Sequence, residues 1–230
     1  MCFSATASFT AGTVLIVFGA ITVRRVRRPS ELPFALIPAL FGIQQLIEGA
    51  LWTTFSGQVA HLNSVLTHLY SLFSHVLWPF YVPIAVLLLE PVQWRRRLIF
   101  GVAMGGAAAS LFLLYFLMTE PIVARVIGHH IDYVSPHFYT WAVLPLYVLA
   151  TCASSLLSSH RTVRWFGVAT AISLVAAAAI YTAWFISVWC FFAAALSVFV
   201  LLYFVQRPST QNASTLAATW ADTQQRATWL

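Results

Sequence analysis

The chain alternates long apolar stretches with short polar breaks, and inside one stretch the usual make-up of a helix is reversed. In "HLNSVLTHLYSLFSHVLW", residues 61 to 78, the residues His61, Ser64, His68, Ser71, His75 and Trp78 recur every three or four positions. These are the seam positions of a heptad, which a soluble helix fills with Leu or Ile. The leucines lie on the other faces instead. A bilayer imposes that inversion, because the outside of a membrane bundle is apolar and its polar side chains turn inward.

Seven apolar spans follow from the same pattern. The first runs from about Ser8 to Val23 and the second from about Pro33 to Phe55, with Pro33 near the first turn, where proline is tolerated. The third runs from about His61 to Leu89. Pro79 and Pro83 lie inside it, which predicts a bend after Trp78. The fourth covers about Leu98 to Met118 and the fifth about Phe138 to Leu157. From Trp165 to Val205 the sequence is almost unbroken apolar residues. A single straight helix of that length would reach roughly 60 Å at 1.5 Å per residue, twice the hydrocarbon thickness. Two helices joined by a tight turn near Ala183 to Ser187 are therefore expected. The predicted fold class is an all-α polytopic membrane protein, a seven-helix transmembrane bundle over residues 1–205. A polar, flexible tail follows at 206–230. Its sequon Asn212-Ala213-Ser214 would lie in the cytoplasm and stay unmodified.

Composition agrees with this reading. The chain is 60% hydrophobic and 8% charged, whereas soluble domains carry about a quarter charged residues. The net charge of +6 comes from arginine alone, and the absence of lysine excludes a retinal Schiff base. Arg24, Arg25, Arg27 and Arg28 fall between the first two spans, Arg95, Arg96 and Arg97 between the third and fourth, Arg161 and Arg164 between the fifth and sixth, and Arg207 and Arg226 in the tail. With seven spans all of these share one side and only Arg125 falls on the other. The positive-inside rule then places the N-terminus outside, the C-terminus in the cytoplasm and the chain in the inner (plasma) membrane. The arginines mark a membrane face, so nucleic acid is not an expected partner. The start lacks the basic region of a cleavable signal peptide.

The groups able to carry chemistry gather on the opposite, outward side. Gln45, Glu48 and Trp52, beside Gln44, share one face of the second span at three- and four-residue spacing. His68 and His75 lie on the seam of the third span with Ser71. His129, His130 and His137 lie in the loop after the fourth span, Cys2 precedes the first, and Cys190 sits near the outer end of the seventh. Of seven histidines only His160 falls on the arginine side. Ionisable groups inside a bilayer are costly and usually functional. Two site readings follow. Gln44, Gln45, Glu48, Trp52, Ser71 and His75 line a pocket for a small polar ligand, as in a sensor or carrier. Alternatively, Cys2, His68, His75, His129, His130 and Cys190 hold copper or zinc, the metals that mixed imidazole and thiolate ligands favour, with redox or hydrolytic activity. In a third reading the polar groups are interhelical glue, and function resides in a protein partner. Cys2 and Cys190 could form a disulfide, ligate a metal or be unrelated thiols. No triad, phosphate loop or zinc-protease arrangement is present, so enzyme status stays open.

The stretches "MCFSATASF", "FGIQQLIEGALW", "HVLWPFYVPIAVLLLEP" and "ISVWCFFAAALS" together resemble an uncharacterised family of bacterial integral membrane proteins that begin Met-Cys-Phe/Trp-Ser. The resemblance covers nearly the whole chain before the tail. It implies a multi-pass membrane protein and no particular activity. Ser64-x-x-x-His68 and Ser71-x-x-x-His75 also resemble the Ser-x-x-x-His of zinc-dependent seven-helix hydrolases such as alkaline ceramidases and adiponectin-type receptors. Those carry a His-x-x-x-His on the last helix, where this chain has "SVWCFFAAALS", so their zinc site does not transfer.

Overall fold

The computed structural model describes residues 4–55, 57, 59–128, 130–134, 141–180, 192, 194 and 196–206. Cys2, His129, His137, Cys190, the turn expected near 183–187 and the tail from 207 lie outside them. The described helices are α1 (Ala5–Arg24), α2 (Leu32–Thr54), α3 (Ala60–Leu89), α4 (Gln93–Thr119), α5 (Val143–Leu156), α6 (Arg161–Ile180) and α7 (Val198–Val205). The first four are long and apolar enough to cross a membrane. Helices α1 to α3 lie close to the spans read from hydropathy. Helix α4 starts earlier than expected, at Gln93, so Arg95, Arg96 and Arg97 belong to its first turns. Arginine is a good helix former, and its long stem lets the charge reach water while the backbone stays helical.

The all-α expectation needs one correction. Strands β1 (Val123–Ile127) and β2 (His130–Val134) form an antiparallel hairpin between α4 and α5, with Val123 opposite Val134 and Ile127 opposite His130. The β-branched residues of "VARVI" favour a strand. Gly128 takes the positive φ of 63° that the turn requires and that a Cβ would penalise.

Helices α1 and α2 form a close antiparallel pair through small residues. Gly12 and Gly19 on α1, and Gly42 and Gly49 on α2, recur at a seven-residue interval. A Cβ on Gly42 would come within 2.9 Å of the Gly12 carbonyl oxygen, and one on Gly19 within 2.7 Å of the Ala39 nitrogen. Small residues let apolar helices gain dispersion contact where burial from water gives no drive. The Thr22 hydroxyl donates to the Ala35 carbonyl at 2.6 Å and ties the pair at its lower end.

Helix α2 is enclosed by the core on most of its length. Phe41 stacks on Trp78 of α3 at 3.7 Å between ring centroids, and Phe34 meets Tyr203 of α7 edge-on at 5.5 Å. On the far side of α3, Pro83 has no N–H, so the Pro79 carbonyl lacks its helical donor. Gly106 of α4 packs directly onto that carbonyl and leaves no room for a Cβ. The Gly101-x-x-x-Gly105 spacing suggests a packing stripe, yet a Cβ on Gly101 meets nothing within 4 Å and one on Gly105 makes only an ordinary contact with Leu146. Gly106 is the close-packing residue of α4.

The arginine-bearing connections meet at one end of the bundle. Arg95 donates to the carbonyls of Leu157 and Ser158 at 2.9 and 3.1 Å, capping the end of α5. The buried Glu90 accepts from the N–H of Ser159 at 2.7 Å, the N–H of Val92 at 3.1 Å and the Ser158 hydroxyl at 3.2 Å. The His160 ring lies 3.2 Å from the Leu89 carbonyl and 5.3 Å from Tyr203, and Arg25 reaches the Val205 carbonyl at 3.5 Å. Burial pushes the Glu90 carboxyl up. The hydrogen bonds from Ser159, Val92 and Ser158 outweigh that and hold it below its ordinary value of 4.5.

Two outcomes follow. Gly106→Ala should destabilise the bundle by about 1–3 kcal/mol, because a backbone carbonyl cannot yield as a side chain can. Gly101→Ala should be neutral or stabilising. Thermal unfolding of both variants in detergent distinguishes them, and equal midpoints would refute this packing. Because the folded Glu90 carboxyl is more acidic than the unfolded one, its contribution is complete above about pH 4.5 and is lost as pH falls through the depressed folded value. Glu90→Gln should therefore unfold at a lower temperature than the parent at pH 7, and the gap between them should shrink as pH falls below 4.5.

Candidate functional site

Two hydrogen bonds fix the register of α2 against α3. The Trp78 indole N–H donates to Gln44 Oε1 at 2.7 Å, and the Asn63 amide donates to the Thr54 hydroxyl at 2.8 Å. Because the helices run antiparallel, Gln45 and Glu48 lie between these pins. Gln44, Gln45, Glu48, Ser71 and Ser74 are fully buried, and His75 is 2% exposed.

That turn of α3 is not α-helical. Leu72–Leu77 form a π-helical segment, a widened turn that inserts an extra residue and frees backbone groups from the regular ladder. Neighbouring helices meet the carbonyls of this segment. The Tyr147 hydroxyl of α5 donates to the Ser74 carbonyl at 2.6 Å, and the Ser110 hydroxyl of α4 donates to the Val76 carbonyl at 2.8 Å. The Ser74 hydroxyl lies 2.7 Å from His75 Nδ1. A second π-helical segment, Leu149–Ala153, follows one residue after Val148, on the helix that supplies Tyr147. The irregularity of α3 thus falls before Trp78, upstream of the bend that the prolines predict.

The widened turn also decides which seam residues face inward. Seven residues return an α-helix to nearly the same face, but the interval from His68 to His75 includes the π-helical turn. His75 is buried, whereas His68 is half-exposed and bonds its own helix, Nδ1 to the Ser64 carbonyl at 2.8 Å. His61 and Ser64 are exposed. The inward stripe is Thr67, Tyr70, Ser71, Ser74, His75 and Trp78.

Several buried polar atoms on the α2–α3 seam have no hydrogen-bond partner among the described residues. They are Gln44 Nε2, both amide atoms of Gln45, the Ser71 hydroxyl and, at the upper rim, the Trp52 indole N–H. Trp78 can only donate, so it fixes the Gln44 amide with its oxygen toward the indole and its nitrogen turned away. The hairpin closes this end of the seam. Tyr133 of β2 stacks on Tyr70 of α3 at 4.3 Å with rings within 7° of parallel, and Ala124 and Ile131 pack with Leu51. On the same hairpin Asp132 stands opposite Arg125. Burial pushes its carboxyl up, and the Arg125 charge offsets part of that rise.

Gln44, Gln45, Glu48, Ser71 and His75 are thus all buried, on the paired helices α2 and α3, and Trp52 is half-buried. Of the ligands in the copper or zinc reading, His68, His75 and His130 are among the described residues. No group of three or more His, Cys, Asp or Glu side chains is placed to hold a metal among them. His68 bonds its own helix, His75 sits beside Ser74 in the buried seam, and His130 is buried on β2 of the hairpin. Cys2, His129 and Cys190 lie outside the described residues. Ser74, Tyr147 and Ser110 escape a reading by heptad. Ser74 is one place off the repeat counted from His61, and Tyr147 in "LPLYVLA" has the look of an interfacial anchor.

No curated protein and no solved structure matches the chain. The sequence profile of one family does, over residues 1–215, which takes in α1 to α7 and the hairpin. The chain thus belongs to the family of unknown function DUF6629.

Proposed function

We propose that the chain is an integral membrane protein whose α2–α3 seam binds a small polar molecule, as a sensor or carrier. The observation that carries this reading is Gln45, fully buried with neither its donor nor its acceptor partnered by the described protein. Each unsatisfied buried polar group costs about 1–3 kcal/mol, and a whole domain has only about 5–15 kcal/mol of stability. Several such groups on one seam are affordable if a guest with its own donors and acceptors completes them. Gln44 Nε2 and the Trp52 N–H call for acceptors, Gln45 Oε1 calls for a donor, and the Ser71 hydroxyl takes either. The fitting guest is a small molecule with both kinds of group.

The membrane reading rests on four helices of spanning length, and on the exposure of large side chains such as Phe100, Leu111 and Met118 on α4, which suit lipid contact. Seven spans, an outward N-terminus and the inner membrane accord with the arginines of the α1–α2, α3–α4 and α5–α6 connections sharing one end. The hairpin-covered end of the seam then lies on the side opposite those arginines.

Gln45→Leu separates this reading from interhelical glue. If the Gln45 amide serves a guest, the variant loses two unsatisfied atoms, and the guest-free protein in detergent becomes more stable by about 1–3 kcal/mol. If Gln45 holds helices together, the variant unfolds at lower temperature than the parent. A lower midpoint would refute the proposal.

A further inference from the structure

The connection between α1 and α2 carries Arg24, Arg25, Arg27 and Arg28, all exposed. Arg96 and Arg97 are exposed on the first turns of α4, and Arg161 and Arg164 on the first turn of α6. The contacts that join these connections put the charges at one end of the bundle. Two carboxylates are described there, and both are buried. Glu31 accepts from the Arg27 N–H at 3.0 Å, and Glu90 takes the three bonds already described.

Two further features sharpen this. A helix N-terminus carries partial positive charge and prefers acidic side chains. The first turns of α4 and α6 hold no acidic residue and carry arginine instead. Such an arrangement favours an anion from outside. Trp94 and Trp165 lie beside these arginines, 57% and 50% exposed. Half-exposed indoles flanking arginine belong at the headgroup level of a bilayer, where the available anion is a phosphate ester on an acyl chain.

We propose that this end of the bundle is a binding site for the headgroups of anionic phospholipids, formed by Arg96, Arg97, Arg161 and Arg164 with Trp94 and Trp165. Arg95 is excluded, because its guanidinium caps α5. The site rests on the membrane-spanning reading and not on the α2–α3 seam. The planar guanidinium of arginine meets two phosphate oxygens at once with paired N–H donors, and the concentration of positive charge favours a phosphate-bearing headgroup with net negative charge over a zwitterionic one.

The test uses the full chain in detergent micelles, after confirming that it stays in the membrane fraction through an alkaline wash. Release by that wash would refute the membrane reading separately. Phosphatidylglycerol doped into the micelles is expected to raise the unfolding midpoint by about 3 °C or more over the same mole fraction of phosphatidylcholine. The rise should fall away as salt increases. The quadruple variant R96Q/R97Q/R161Q/R164Q should keep the phosphatidylcholine midpoint and lose the phosphatidylglycerol increment. If that variant does not fold, the pair R96Q/R161Q is expected to lose about half of it. Equal midpoints in the two lipids would overturn the site, as would an increment untouched by these substitutions. An equal increment from millimolar inorganic phosphate alone would also overturn it, in favour of a soluble anion.

Discussion

Hydrogen-bonding groups placed among apolar helices must find partners inside the chain, and this single constraint organises the molecule. Where α3 widens at Leu72–Leu77, Tyr147 and Ser110 arrive from two other helices to meet its carbonyls. Where α1 leaves its lower turn, Thr22 reaches across to Ala35. These interactions place the helices as firmly as dispersion does, because each unmade bond in an apolar setting costs more than a made bond contributes. Against that background, the buried amide of Gln45, with both its polar atoms unpartnered among the described residues, marks the candidate site.

The two ends of the bundle are built differently. At the arginine end, charge is handled locally. Arg95 caps a helix, Glu90 gathers N–H groups, Arg25 reaches the Val205 carbonyl, and Arg96, Arg97, Arg161 and Arg164 are exposed. At the other end a small hairpin covers the seam through the Tyr70–Tyr133 stack, and its single arginine faces Asp132. The buried polar seam lies beneath this hairpin, and Trp52 and Phe55 pack against the same cluster, edge to face at 6.1 Å.

Much of this was legible in the sequence and some was not, for physical reasons. The helices α1, α2 and α3 were readable because long apolar runs between arginine clusters have few other solutions. Gln44, Gln45 and Glu48 were readable because polar residues inside such runs have nowhere to go but inward. The π-helical turn was not readable. It changes no residue type and only shifts the face, so a count by sevens from His61 selects His68, which the structure leaves half-exposed. The hairpin hid behind two histidines and an aspartate that read as polar loop, although "VARVI" and Gly128 held a strand and a turn. Gly101 looked as good as Gly106 because spacing says nothing about what lies opposite.

A structure of the protein in lipid, at a resolution that shows ordered water, is the most direct measurement of whether the seam is a site. Non-protein density within about 3 Å of the Gln45 amide and the Ser71 hydroxyl is the expected result. A dry seam, in which Gln44, Gln45 and Ser71 have every polar atom bonded to protein, or one holding only ordered water, would contradict it.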